Sequence, residues 1–190
     1  MLDDKTDEQL MLLYTDNNID AFQILYGRYK TALFRFILRQ VEGQATAEEL
    51  FQELWAKVIK CKDTYQTTAS FRTFIYQIAR NTLIDWYRRQ NIRKIEIQTN
   101  SETMSTQVDT LALVNEPSHN MEKQQTYQNV IDAIKVLPQD QRDVFLLKEE
   151  ANLSIKEIAA VTQVNAETAK SRYRYAIKQL KILLGQNDDN

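Results

Sequence analysis

Residues 153–184 read LSIKEIAAVTQVNAETAKSRYRYAIKQLKILL, and this stretch decides the fold. Ser154 and Glu157 stand three apart ahead of an apolar periodicity. In that spacing, a capping box, the hydroxyl accepts from a free helix amide and the carboxylate reaches back to the Ser154 amide. Ile155, Ile158, Ala159 and Thr162 then share one face of a short helix. Thr162, Gln163 and Val164 make a turn, and Asn165 caps the next helix. There Ala169, Tyr173, Ala176, Ile177, Leu180 and Leu184 recur at helical spacing. Lys170, Ser171, Arg174, Tyr175, Lys178 and Lys181 are left outward. A short helix, a tight turn and a second helix with a basic outer face form a helix-turn-helix, which lays its second helix in the DNA major groove. Lys170 and Ser171 lie near that helix's start, where side chains reach base edges, and Lys178 and Lys181 lie further along, where phosphate is the partner.

Upstream, the same period recurs without strand signals. Residues 121–137 carry Tyr127, Val130, Ile131, Ile134 and Leu137 on one face, and Pro138 opens the next helix, where its missing amide costs little. Asn152 follows that helix at a place where a left-handed residue is needed. In the N-terminal half, 7–14 is a short amphipathic helix. The spacing predicts a second over 19–41, with Phe22, Leu25, Tyr26, Tyr29, Leu33, Phe34 and Ile37 inward and Gly43 as the stop. Thr46 and Glu49 have capping-box spacing for a helix to about residue 60, whose first turns put Glu48, Glu49, Gln52 and Glu53 outward. A polar loop, 62–69, contains Tyr65. Ser70 caps a long helix to residue 90, with a basic end in Arg88 and Arg89. Residues 91–120 turn rich in Asn, Gln, Ser and Thr, with one apolar island at 111–114, and read as a linker without stable structure.

Composition agrees. Three Gly and two Pro in 190 residues leave few strand turns and helix breakers, so the expected fold is all-α: two small helical domains joined by a flexible linker. The boundaries are 1–94, a linker over 95–120, and 121–190. The single Cys61 closes no intrachain disulfide and fits a reducing cytoplasm. No apolar run is long enough for a bilayer, and the acidic start (Asp3, Asp4, Asp7, Glu8) is unlike a signal peptide. The one histidine, His119, excludes metal sites built on paired histidines, and no Gly-rich phosphate loop is present. Glu48 and Glu49 fall in a helix's first turn, where the macrodipole accounts for them. No enzyme, cofactor or metal is implied. With a net charge of −2, the chain lacks the basic excess of proteins that grip duplex DNA unaided.

Taken in order, these stretches resemble bacterial sigma-70 family sigma factors of the two-domain, extracytoplasmic-function type. The resemblance is carried by AFQILYGRYKTALFRF, TAEELFQELWAKVI and FRTFIYQIARNTLIDWYRR in the N-terminal half. In the C-terminal half it is carried by NEPS and by LPQDQRDVFLLKEEANLSIKEIAAVTQVNAETAKSRYRYAIKQL. It implies a subunit that joins core RNA polymerase, through clamp coiled coil and flap, and directs it to promoter DNA. Many members have an anti-sigma factor as a further partner. Carried over by position, Glu49, Gln52 and Glu53 contact polymerase. Tyr65, Arg80, Asn81, Arg88 and Arg89 read and help open the −10 element. Thr168, Lys170, Ser171, Arg174, Tyr175 and Lys178 read the −35 element. Three positions depart from the family: Gln163 replaces the usual turn Gly, Tyr175 stands where Arg is frequent, and Asn152-Leu153 replace a Gly before the capping Ser. A left-handed Gln163 costs about 1 kcal/mol.

Two other readings account for the helix-turn-helix. A stand-alone transcriptional regulator would use the N-terminal half as a helical sensor or dimerisation domain. An interaction protein would bind polymerase or another sigma factor without reading DNA, its basic face being merely a solvated helix surface.

Overall fold

The computed structural model describes residues 2–100 and 121–185, with side chains left out over 94–100 and 121–124. Among these residues all regular structure is helical. The order is α1 (Asp7–Thr15), α2 (Ile19–Leu38), α3 (Gln44–Lys60), α4 (Phe71–Asn100), α5 (Met121–Val136), α6 (Gln139–Glu149), α7 (Ile155–Thr162) and α8 (Ala166–Leu183), with short 3-10 turns at Leu2–Asp4 and Lys62–Thr64. His119, the apolar island at 111–114 and most of the expected linker lie outside the described residues.

Local chemistry sets most boundaries. Thr6 and Gln9 form a capping box on α1, and Asn18 accepts from the Ala21 amide at 3.0 Å to start α2. Three expectations need correction. α2 ends at Leu38 rather than at 41, and Gly43 does not stop it; with φ +85, Gly43 instead precedes α3, a conformation that glycine alone adopts freely. Consequently α3 begins at Gln44 and carries no side-chain cap, so Thr46 and Glu49 do not form the expected capping box. Third, α4 continues through 91–100, where irregular chain was expected. No Gly or Pro interrupts it, and Arg, Lys, Glu and Gln have high intrinsic helix propensity.

The N-terminal half packs α1 to α4 around an aromatic-rich core. Leu25, Tyr29, Leu33, Phe36 and Ile37 line the buried side of α2, and each fully buried aliphatic contributes about 1.5–3 kcal/mol. Phe36 meets Tyr76 edge-on at 5.3 Å, as Tyr29 meets Phe71 at 5.3 Å and Phe22 meets Trp55 at 5.6 Å. Tyr26, expected inward, lies at the rim, 36% exposed, between the rings of Phe51 and Trp55. In the C-terminal half α6, α7 and α8 enclose Val144, Leu146, Leu147, Ile158, Val161, Ala169 and Ala176. The expected inner face of α5 is only partly covered: Ile134 and the following Leu137 are buried, but Tyr127 is 56% exposed. The halves pack together, α7 lying along α4, so a single core cluster runs through both.

Candidate nucleic-acid and polymerase interfaces

The helix-turn-helix forms as its caps require. The Ser154 hydroxyl accepts from the Glu157 amide at 3.3 Å while the Glu157 carboxylate accepts from the Ser154 amide at 2.8 Å. After α7, Gln163 takes φ 57 and ψ 41. The Val164 amide then donates to the Ala159 carbonyl at 3.0 Å, and the Gln163 amide to Ala160 at 3.3 Å. Those two bonds make a Schellman closure. The buried Thr162 hydroxyl donates to the Ile158 carbonyl at 2.7 Å, so that hydroxyl is satisfied within its own helix. Asn165 accepts from the Thr168 amide at 2.7 Å and starts α8.

With Ala169, Ala176 and Leu180 buried, α8 presents Lys170, Arg174, Tyr175 and Lys178 to solvent, with Thr168 and Ser171 half-buried beside them. The six −35 candidates therefore share one side of one helix. Two neighbours do not join them. Arg172 donates to Asp140 at 2.5 Å, and Tyr173 stacks on Phe145 and donates to Glu149 at 2.7 Å. Burial and the Glu149 bond push the Tyr173 hydroxyl up to about 12. Lys181, expected outward, is half-buried.

On the N-terminal half the candidates separate by helix phase. Neighbours on a helix point about 100° apart and residues seven apart nearly coincide, so exposed Asn81 and Arg88 share a face. Arg80 turns toward α6 and donates to Asp143 at 2.9 Å. Arg89 turns toward α3 and pairs with Glu53 at 3.0 Å. Glu53 also meets Lys57 at 2.9 Å, which in turn reaches Thr82 and Asp85, both at 3.2 Å. Burial alone would raise the Glu53 carboxyl, but hydrogen bonds from Lys57 and Arg89 outweigh it and hold the group below the usual range. A −10 candidate and a polymerase candidate are thus directly linked. Glu49 and Gln52 remain exposed.

Tyr65 occupies a different place from the one its role suggested. It is 7% exposed, its ring edge-on to Phe71 at 6.1 Å and Phe74 at 5.1 Å, and burial pushes its hydroxyl up to about 12. It floors the 62–69 loop and offers no free ring for a base to stack on. The loop is fixed from α1, which the sequence pattern did not implicate. Lys62 donates to Asn17 at 2.6 Å and sits over the Tyr14 ring, and Glu8 accepts from the Phe71 amide at 2.9 Å at the start of α4. Asp143 was also missed, although an acid abutting the apolar run Val144-Phe145-Leu146-Leu147 is a signal that a buried partner exists. Among the described residues no cluster of His, Cys, Asp and Glu could hold a metal, and no helix is long and apolar enough to cross a membrane.

Two family models match in chain order: Sigma-70 region 2 over residues 25–92 and Sigma-70, region 4 over residues 127–180. The chain belongs to the sigma-70 family. The extracytoplasmic-function type follows from its relatives. It is 25% identical to the ECF RNA polymerase sigma factor SigX of Bacillus subtilis over 85% of this chain and 82% of that protein. To the sigma factor CarQ of Myxococcus xanthus it is 26% identical over 91% and 94%, and to the ECF sigma-E factor of Escherichia coli 26% identical over 90% and 91%. In fold, this sigma factor resembles CnrH, solved in complex with the cytosolic domain of CnrY, with a TM-score of 0.69 at 18% identity over 97% and 100% of the two chains. RpoE of Bartonella quintana, solved with the anti-sigma factor NepR, gives 0.68 at 22% identity over 87% and 98%. Within this sigma factor, Glu49, Gln52, Glu53, Tyr65, Arg80, Asn81, Arg88 and Arg89 fall inside the region 2 match, and Thr168 to Lys178 inside the region 4 match.

Proposed function

We propose that this sigma factor joins core RNA polymerase in the cytoplasm and directs it to promoters through three surfaces. Thr168, Lys170, Ser171, Arg174, Tyr175 and Lys178 read the −35 duplex in the major groove. Asn81, Arg88, Arg89 and Arg80, with the loop that Tyr65 floors, read and hold the unwound −10 strand. Glu49, Gln52 and Glu53 dock on the polymerase clamp, with the flap as a further contact. Residues 1–94 and 121–190 are the working domains and 95–120 joins them. The protein performs no catalysis; it contributes binding energy that differs between promoter and other DNA. The anti-sigma factor NepR bound to one structural relative makes a similar protein a natural further partner.

The observation that carries this reading is the order of the two family matches, combined with an α8 whose cationic side stands clear of the rest of the protein. The decisive experiment is association with core polymerase by wild type and by Gln52→Ala with Glu53→Ala. The reading expects tight association that the double substitution weakens at least tenfold. Association indifferent to both residues, with tight operator-specific binding by the free protein, would instead establish a stand-alone regulator.

A further inference from the structure

A cleft of about 500 Å³ opens between the turn after α2, the C-terminal part of α4, and α5 and α6. Its size lies within the roughly 300–1,000 Å³ of small-molecule sites. Gln40 and Glu42 line it from the turn, Trp86 and Tyr87 from α4, Lys135 from α5 and Arg142 from α6. The side of α4 that it uses faces away from Asn81 and Arg88. Gln90, also on its wall, lies nine positions beyond Asn81, about half a turn round the helix. Trp86 lies fifteen positions beyond Phe71, about 22 Å along α4 from the end of the 62–69 loop.

Gln40 is the unusual residue in this wall. It is 2% exposed, and its main chain is fixed from both sides. Its backbone amide donates to the Ile37 carbonyl at 2.8 Å, and the Tyr87 hydroxyl donates to its carbonyl. Neither the nitrogen nor the oxygen of its side-chain amide has a partner. The buried Nε of Arg142 has none either, while Nη2 of that residue is committed to the Leu137 carbonyl at 3.1 Å. A buried amide without partners destabilises a fold, and an apolar side chain of the same length would not carry that cost. A ligand that completes those hydrogen bonds gives the amide a use.

The lining specifies the chemistry of that ligand. A carboxamide holds a donor and an acceptor in one plane, which matches the paired acceptor and donor on a nucleobase edge, that of adenine above all. The half-buried Trp86 indole offers a face on which such a ring stacks. Lys135 and Arg142 supply charge for a phosphate, and the exposed Glu42 carboxylate accepts from ribose hydroxyls. We propose that this cleft binds an adenine nucleoside monophosphate, with Gln40 pairing to the base, Trp86 stacking on it, and Lys135 and Arg142 holding the phosphate. A base within a nucleic-acid strand carries the same edge, but the cleft's position on the side of α4 away from Asn81 and Arg88 favours the free nucleotide. The inference does not depend on the functional reading above.

The test uses the protein's own fluorescence. The chain has two tryptophans, so the full chain carrying Trp55→Phe reports from Trp86 alone. Its indole is excited at the red edge of its band, clear of nucleobase absorption, while AMP, UMP, adenosine, ribose 5-phosphate or single-stranded oligo(dA) is added. AMP quenches saturably, half-maximally below about 1 mM. UMP and adenosine each bind about tenfold more weakly, and ribose 5-phosphate and oligo(dA) leave the signal unchanged. Adding Gln40→Met, which keeps the length and removes donor and acceptor, weakens AMP about tenfold. The same variant melts no lower than its parent, so the loss is not unfolding. Adding Lys135→Ala weakens AMP about tenfold and adenosine by less than about twofold. The inference is overturned by AMP that does not quench saturably, or by a Gln40→Met protein that binds AMP unchanged or melts lower. It is equally overturned by a Lys135→Ala loss shared by adenosine, or by UMP or oligo(dA) quenching as strongly as AMP.

Discussion

Replacing Gln163 with glycine should stabilise the C-terminal domain. Gln163 sits at φ 57 and ψ 41, a left-handed conformation that costs an L-residue about 1–2 kcal/mol. Glycine removes that cost but gives the unfolded chain more freedom, which offsets about 0.5–1 kcal/mol. The net is a gain of about 0.5–1 kcal/mol, equivalent to roughly 2–8 °C in Tm for a domain of this size. The closing bonds from the Gln163 and Val164 amides to Ala160 and Ala159 are backbone only and survive the change. Asn152, at φ 51, is an internal comparison. Asn tolerates the left-handed region, so Asn152→Gly should gain less. Thermal and urea unfolding of the full-length variants check both. A Gln163→Gly protein that melts lower than wild type would refute the argument that backbone strain is stored at this turn.

Three further outcomes are expected. Tyr65→Ala, which empties a site between Phe71 and Phe74, should cost about 3 kcal/mol in urea unfolding; Tyr65→Phe should be near neutral, because the buried hydroxyl has no partner, and a large loss there would contradict the placement. For Glu157, burial alone would raise the carboxyl, but bonds from Ser154, Ser70 and Thr73 lower it below the ordinary value. Its contribution is therefore present above about pH 4.3 and is lost as pH falls through the native value. The stability gap between wild type and Glu157→Gln should shrink on acidification, and a gap constant down to about pH 3 would contradict that sign. Lys178→Ala should weaken −35 duplex binding by holoenzyme equally across sequences and reduce the salt slope by about 0.9, whereas Lys170→Ala should change sequence preference; footprinting with promoter variants separates the two.

How far the sequence could be read depends on the range of each interaction. The capping box at Ser154 and Glu157, the Gln163 turn and the Asn165 cap all join residues three to five apart, so the residue pattern alone displays them. The start of α3 was not legible in this way, because Gly43 at positive φ competed with the Thr46 and Glu49 spacing and prevailed. Polarity misled in the other direction at 91–100, where a polar composition still continues a helix begun upstream. The candidate site divides in the same way. The exposed side of α8 followed from helical phase. The ties of Arg80 to Asp143, of Arg89 to Glu53 and of Glu8 to the start of α4 join residues 63, 36 and 63 positions apart, and no local pattern encodes them. Tyr65 shows the limit most plainly, since an aromatic residue in a polar loop reads equally as a stacking platform or as the loop's anchor.

The most direct test of the central claim is run-off transcription by core RNA polymerase on a panel of candidate promoters, with and without this protein. The account predicts transcripts that start at defined sites only when the protein is present, and that are lost with Lys170→Ala plus Arg174→Ala or with Gln52→Ala plus Glu53→Ala. Transcript patterns identical with and without the protein, from a preparation in which core polymerase and protein also fail to co-elute, would contradict it.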